Sequence, residues 1–321
     1  MNIANLTRPE LSRRDFVKVA GITATYLGLS QALAPQIIQA LEMQAQGKKP
    51  AVIWLDGQAC SGCAESFLNN LEPTASSLLL DTISLRYNEA VMAASGHQAE
   101  EALAATVAEG GYVLVIDGSI PLAENGKFCM VGGRPFTEIV RETAKNAAVI
   151  ICVGSCASFG GIPRSGPTDA VGYLYRGKTL HGFFNDVGPK PVINLPTCPL
   201  HNERLVATIV HYLTFGTAPE LDAFQRPLAF YGRLQHDNCS RRGNFEKRRF
   251  VTDFNNPAQQ GYCLILKGCK GPIAFQDCQT RLWNNRASYC INSSFPCIAC
   301  SQPEFYQDTS PHFAHEYDFG V

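Results

Sequence analysis

Four cysteines before residue 200 have spacings that suit a metal site. Cys60 and Cys63 form a C-x-x-C pair, Cys156 lies in the segment GSCASFGG, and Cys198 lies in PTCPLH. Four thiolates bind either a tetrahedral zinc ion or a 4Fe–4S cluster. Structural zinc sites usually pair two C-x-x-C knuckles, whereas Cys156 and Cys198 stand alone. The spacing favours a cluster and leaves zinc as the alternative.

A second set combines one histidine with three cysteines. His236 stands three residues before Cys239, and Cys263 and Cys269 follow. An isolated histidine is more often structural, but one so close to a cysteine in a cysteine-rich segment favours a ligand. Imidazole on a cluster iron usually raises the reduction potential, as in Rieske centres.

The remaining C-terminal cysteines form a third set, Cys278, Cys290, Cys297 and Cys300. Without Cys290 the set has three thiols, which suits a 3Fe–4S cluster. With Cys290 it has the four ligands of a 4Fe–4S cluster, and this is our prediction. The alternative is that Cys290 packs behind neighbouring aromatic side chains and binds nothing.

Composition narrows the classes of function. The 321 residues include 13 cysteines, 45% are hydrophobic, 17% are charged, and the net charge is −1. This balance fits a globular protein with a sizeable core and excludes a general nucleic-acid binder. No nucleophile–base set is evident, so three metal sites indicate electron transfer rather than bond chemistry.

The N-terminus predicts export. Residues 12–18 read SRRDFVK, a twin-arginine signal, and an apolar run follows over 19–34. That run is too short and too rich in Gly, Ala and Thr to favour a membrane anchor, and no later run is long enough for one. Because the twin-arginine route carries folded proteins, thiolates already committed to metal would reach the periplasm protected.

Apolar β-branched runs alternate with helical patterns along the first two-thirds of the chain. Strands are predicted over 51–55, 82–87, 112–117, 147–153 and 191–195, and helices over 64–80, 98–109, 135–146 and 201–215. This alternation predicts an α/β fold with a doubly wound parallel sheet.

The predicted elements also bring the first four cysteines together. Each cysteine segment follows a strand, and open α/β sheets bind ligands at the carboxyl ends of their strands. Glycines beside these cysteines should let the backbone approach closely. They are Gly62, Gly154, Gly160 and Gly161.

After about residue 220 the apolar periodicity fades, and Asn, Arg, Gln, Gly and Cys dominate. Such a segment cannot bury much apolar surface, and metal sites can stabilise it instead. We therefore predict three parts: a signal peptide over 1–46, an α/β domain over 47–220 with the first site, and an irregular domain over 221–321 with the other two.

Nearly the whole chain resembles the small subunits of nickel–iron hydrogenases. The motifs that carry the resemblance are VIWLDGQACSGCAESFLN, DGSIP, VGSCASFGGIP, INLPTCP, HDNCSRR, GYCLILKGCKGPIAFQDC, RLWNN and PCIACSQPEF. The resemblance implies a flavodoxin-like domain followed by a smaller iron–sulfur domain. No catalytic residue is expected on this chain, because the family carries its nickel–iron centre on a separate large subunit.

The resemblance also names the clusters. It implies a proximal 4Fe–4S cluster on the Cys60 set, a distal 4Fe–4S cluster on the His236 set, and a medial cluster on Cys278, Cys297 and Cys300. Many relatives have proline where Cys290 stands and hold a medial 3Fe–4S cluster, whereas relatives with cysteine there, including nickel–iron–selenium types, hold 4Fe–4S. We therefore expect three 4Fe–4S clusters. We also expect the medial cluster to have a lower reduction potential than the 3Fe–4S cluster of relatives with proline.

The implied partners are the hydrogenase large subunit and an electron acceptor, either a multihaem cytochrome c or a membrane cytochrome subunit. Two alternatives remain at this point: a relay subunit of another respiratory oxidoreductase, and an exported zinc-binding protein. Relatives of the first kind typically have adjacent cysteines in the first motif, whereas Ser61 and Gly62 separate the pair here.

Overall fold

The structure is a computed structural model that describes residues 49–70, 74–75, 83–186 and 188–306. The predicted export signal over 1–46 lies outside the described residues. Among the helices of the described part, none has both the length and the apolar character needed to cross a bilayer.

A five-stranded parallel sheet forms the centre of the fold. Its strands are β1 (Ala51–Asp56), β2 (Ser84–Asn88), β3 (Val113–Asp117), β7 (Val149–Val153) and β9 (Val192–Leu195). They pair in the order β2-β1-β3-β7-β9, and every pairing is parallel. This is the flavodoxin-like order, in which the second strand lies outside the first. The predicted fold class and all five predicted strands are confirmed.

Helices cover both faces of the sheet. They are α1 (Gly62–Leu68), α2 (His97–Glu109), α3 (Phe136–Asn146), α4 (Gly154–Phe159) and α5 (Asn202–Phe215). Alternate residues of β1 enter two separate cores: Val52 and Trp54 pack with α1 and α5, whereas Ile53 and Leu55 pack with α2 and α3. Because both faces are covered, all five residues of β3 and of β7 are buried.

Two short antiparallel pairs flank the sheet. One joins β4 (Ile120–Pro121) to β8 (Ala170–Val171), and the other joins β5 (Met130–Val131) to β6 (Arg134–Pro135). Their residues were not predicted as strands, because two-residue pairs carry too little apolar alternation to be recognised in a sequence.

The continuous helix predicted over 64–80 is wrong, because α1 ends at Leu68. Asn69 caps this end through its backbone N–H, and Pro73 follows, which lacks an N–H and disfavours a helical residue before it. Residues 71–73 and 76–80 lie outside the described part of the chain.

The described residues after 220 contain short helices and isolated bridges. The helices are α6 (Leu228–Tyr231), α7 (Arg242–Glu246) and α8 (Cys278–Arg281). A small core packs Val251, Leu264 and Ile291 together with the buried cysteines Cys269, Cys278 and Cys297. In this small core, cysteine side chains therefore fill space that apolar side chains fill in the two cores beside the sheet. The boundary near residue 220 stays a prediction.

The sheet core makes a stability prediction. Ile116 is fully buried in the central strand β3. Ile116→Ala should lower the free energy of unfolding by about 2–5 kcal/mol, because it removes apolar surface and leaves a cavity. Leu180→Ala is the control, since Leu180 is 45% exposed. The thermal unfolding midpoint is measured for both variants. Equal midpoints would contradict the placement of Ile116 in the core.

Candidate metal centres

The first four cysteines lie at the carboxyl end of the sheet. Cys60 precedes α1, Cys63 lies in the first turn of α1, Cys156 lies in α4, and Cys198 follows β9. A Cβ atom placed on Gly154 would lie only 2.7 Å from the Sγ of Cys63. On its other side, Cys63 Sγ accepts a hydrogen bond from the Leu200 N–H at 3.4 Å. Backbone from three different strand ends therefore converges on this thiol.

Glycines bring the backbone close to two more of these thiols. A Cβ on Gly161 would lie 2.8 Å from Cys156 Sγ, and one on Gly62 would lie 3.2 Å from Cys60 Sγ. The expected close approach is thus confirmed at three of the four glycines. Gly160 differs, because its Cβ would meet Ala170 and Arg164 rather than a thiol.

The four thiols are close enough to influence one another's protonation. Burial raises the pKa of Cys198 to about 11, with Cys60 adding to the effect. Burial also raises the pKa of Cys156, and the Cys198 and Cys60 thiols raise it further. Such thiols keep their protons at neutral pH unless a bound cation stabilises the thiolate.

The loops of the second set meet at Gly271. The His236 N–H donates to the Gly271 carbonyl at 3.2 Å, and a Cβ on Gly271 would lie 3.6 Å from Cys269 Sγ. Burial raises the pKa of Cys269 to about 11, with contributions from Cys239 and Cys263. The structure therefore brings the three thiols together, and the His236 backbone borders them.

The third set surrounds one cavity of about 400 Å³. All four of its cysteines line this cavity, namely Cys278, Cys290, Cys297 and Cys300. Trp283 and Tyr289 line the same cavity, so they do not separate Cys290 from the other three thiols. Cys152 and Cys129 belong to none of the three sets: Cys152 is buried in β7, and Cys129 lies in a loop.

Polar side chains point hydrogen-bond donors at the thiols of the third set. Gln276 Nε2 lies 3.4 Å from Cys297 Sγ, and Trp283 Nε1 lies 3.3 Å from Cys278 Sγ. Gln235 lines the cavity and is 1% exposed, yet neither atom of its amide has a hydrogen-bond partner among the described residues. A buried amide without a partner is costly, so the cavity suits a group that hydrogen-bonds with it.

Backbone amides connect the three sets. The N–H of Cys198, in the first set, faces the thiol of Cys300, in the third. The N–H of Cys297, in the third set, donates to Cys269 Sγ, in the second, at 3.4 Å. The third set therefore lies between the other two, with a hydrogen bond to the second set and a backbone N–H of the first set facing it.

The donor chemistry of the three sets fits iron–sulfur clusters. Thiolates are the usual ligands of such clusters, and hydrogen-bond donors at the sulfurs tune them. In the described part of the chain, no group of three or more His, Cys, Asp or Glu side chains is placed to hold one metal ion. The unpartnered Gln235 amide suits a group that fills the cavity and hydrogen-bonds with it.

Sequence reasoning missed several residues around these thiols. Arg204 and Gln235 approach the third set from outside the quoted motifs, whereas Gln276 lies inside GYCLILKGCKGPIAFQDC, two residues before Cys278. Tertiary packing brings Arg204 and Gln235 there, so no local signal could have identified them. For Gln276, the available signal was its position beside a predicted ligand.

Two family models match the chain. Residues 231–313 match the C-terminal model of NiFe/NiFeSe hydrogenase small subunits. Residues 60–212 match the model of the NADH ubiquinone oxidoreductase 20 kDa subunit. The second match corresponds to the alternative of a respiratory relay subunit, and the first match distinguishes the hydrogenases.

Individual relatives cover almost the whole chain. The uptake hydrogenase small subunit of Azotobacter vinelandii is 41% identical over 95% of this chain and 83% of its own length. The periplasmic [NiFe] hydrogenase small subunit of Solidesulfovibrio fructosivorans is 37% identical over 96% and 94%. The reduced, active Ni-Fe-Se hydrogenase of Desulfomicrobium baculatum matches in structure with a TM-score of 0.75 and 33% identity, over 82% of this chain and 98% of that chain.

These similarities extend over both cysteine-rich regions and the parallel sheet. They set aside the exported zinc protein and the relay subunit of another respiratory enzyme. The chain belongs to the small subunits of NiFe/NiFeSe hydrogenases, the iron–sulfur electron-transfer subunits of these enzymes.

Proposed function

We propose that this subunit relays electrons through three 4Fe–4S clusters between a nickel–iron centre on a large-subunit partner and an external acceptor. The observation that carries the proposal is the series of three cysteine sets, in which the Cys198 N–H faces the Cys300 thiol and the Cys297 N–H donates to Cys269 Sγ. The expected path runs from the Cys60 set through the Cys278 set to the His236 set.

The ligands divide into three groups of four. The proximal ligands are Cys60, Cys63, Cys156 and Cys198, the medial ligands are Cys278, Cys290, Cys297 and Cys300, and the distal ligands are His236, Cys239, Cys263 and Cys269. Iron–sulfur clusters supply reversible one-electron transfer when bound. The protein holds their ligands, excludes water and sets their potentials.

Backbone amides supply many of the hydrogen bonds to the proposed ligands. N–H groups donate to Cys63 from Leu200 and to Cys239 from Arg241, each at 3.4 Å. The same kind of donor faces Cys156, Cys263, Cys297 and Cys300. These donors stabilise negative charge on sulfur, and they move little because the folded backbone fixes them.

Cys290 supports a four-ligand medial site. Its side chain lines the same cavity as the other three thiols, and its thiol interacts with that of Cys278. Without this ligand the site would hold a 3Fe–4S cluster.

The distal set borders exposed residues. His236 is half-buried, and the next two residues, Asp237 and Asn238, are exposed. We infer that electrons leave here for a multihaem cytochrome c or a membrane cytochrome subunit. A periplasmic location after twin-arginine export is consistent with the periplasmic relative from Solidesulfovibrio fructosivorans.

Metal analysis tests the cluster content. The purified heterodimer should contain about twelve irons in addition to the iron of the nickel–iron centre, since three 4Fe–4S clusters are proposed. Zinc should be present in trace amounts. About four or eight irons, or a stoichiometric amount of zinc, would refute the three-cluster assignment.

The role of Cys290 is tested by Cys290→Ala. Loss of the fourth ligand should convert the medial cluster to 3Fe–4S, seen as a new isotropic signal in low-temperature EPR of the oxidised protein. Cys129→Ala is the matched control, because Cys129 belongs to none of the three sets. A full 3Fe–4S signal in the undamaged wild-type protein would show that Cys290 is not a ligand.

Gly154 tests the proximal site. Gly154 has a φ of +76°, and Gly154→Ala places a methyl group 2.7 Å from Cys63 Sγ, so the thiol must move. About a third of the cluster iron should be lost, since one of three clusters is affected.

Gly216→Ala is the control for backbone strain alone. Gly216 has a φ of +68° with no atom within 4 Å of the added Cβ. It should retain its full iron content. Equal iron in the two variants would argue against cluster binding beside Gly154.

A further inference from the structure

Arg204 is a fully buried cation beside the medial set. It lies in α5 with 0% side-chain exposure, and its Nη2 approaches Cys278 Sγ at 3.6 Å. A buried charge is costly unless it is paired, and Asp277 supplies the partner. Arg204 Nη2 and Nε donate to Asp277 Oδ1 at 2.6 Å and 3.0 Å. Because Asp277 directly precedes Cys278, this ion pair holds the guanidinium at the thiol.

Two further arginines join the ion-pair network around Arg204. Arg281 pairs with Asp277 at 2.8 Å and with Glu203 at 3.2 Å, and Arg286 pairs with Glu203 at 3.4 Å. The Arg204 guanidinium contacts Cys278 Sγ directly, so it places positive charge at that sulfur.

Trp283 adds a second donor to the same sulfur. Its indole Nε1–H points at Cys278 Sγ over 3.3 Å. The imidazole of His201 packs on the indole with ring centroids 4.6 Å apart, and His201 Nε2 lies 2.6 Å from the Leu282 carbonyl. These contacts fix the direction of the indole N–H.

We propose that Arg204 and Trp283 raise the reduction potential of the medial site through the Cys278 sulfur. The proposal rests on the proposed medial cluster. Each transfer adds one electron to the site and later removes it, with no bond made or broken. Donors and positive charge at the sulfur stabilise the state with the added electron. The two residues therefore offset the lower potential expected from a fourth thiolate, Cys290. They are positioning residues, and neither is a ligand.

Trp283→Phe is the cleanest test. Phenylalanine keeps an aromatic ring beside His201, removes the N–H donor and is smaller than the indole. An EPR-monitored redox titration of the purified heterodimer measures the medial potential. We expect reduction of the medial site to become about tenfold less favourable, which is a fall of about 59 mV for a one-electron couple. The proximal and distal potentials should not change.

Arg204→Lys provides a second test. Lysine keeps the charge next to Asp277 but lacks the fork that contacts both the carboxylate and the sulfur. The medial potential should again fall. Arg286→Gln is the control, because Arg286 pairs with Glu203 at the edge of the network. This variant should leave the equilibrium constant for reduction of the medial site within about threefold of its wild-type value.

The outcomes separate the two proposals. A medial cluster that is present with an unchanged potential in both Trp283→Phe and Arg204→Lys would overturn this inference alone. A wild-type heterodimer with no medial cluster signal would overturn the proposed three-cluster relay together with this inference.

Discussion

The structure depends on hydrogen bonds between backbone amides and buried thiols. The Cys297 amide donates to the Cys269 thiol, and the Cys198 amide faces the Cys300 thiol, so each cysteine set is held in place by its neighbour. A metal-bound thiolate needs such donors because it carries negative charge in a poorly hydrated interior. A hydrogen bond that stabilises the thiolate of one proposed site therefore also fixes the distance to the neighbouring site. The spacing of the proposed relay follows from the need of each thiolate for hydrogen-bond donors.

The two regions of the chain meet this requirement differently. In the first, a parallel sheet with two covered faces provides a rigid edge, and glycines let the loops reach the thiols. In the second, short helices surround a small core in which Cys269, Cys278 and Cys297 stand where apolar side chains would otherwise pack. The clusters proposed at these cysteines would contribute to folding as well as to electron transfer.

The sequence predicted the fold where its physical signal is strong. Near-continuous apolar runs identified the five strands, and their alternation with helices predicted the parallel, doubly wound sheet, whereas the flavodoxin-like order came from the family resemblance. The end of α1 at Leu68 was missed, because the apolar pattern continues past it and the competing effect of Pro73 was not weighed. Cysteine spacing indicated the candidate ligands, but Arg204 and Gln235 depend on long-range packing that no local pattern encodes.

Anomalous diffraction at the iron edge from crystals of the heterodimer tests the central claim most directly. The account predicts three separate iron clusters in this subunit, with the one at the Cys278 set between those at the Cys60 and His236 sets. Iron at fewer than three of these positions, or an anomalous signal from zinc at any of them, would contradict it.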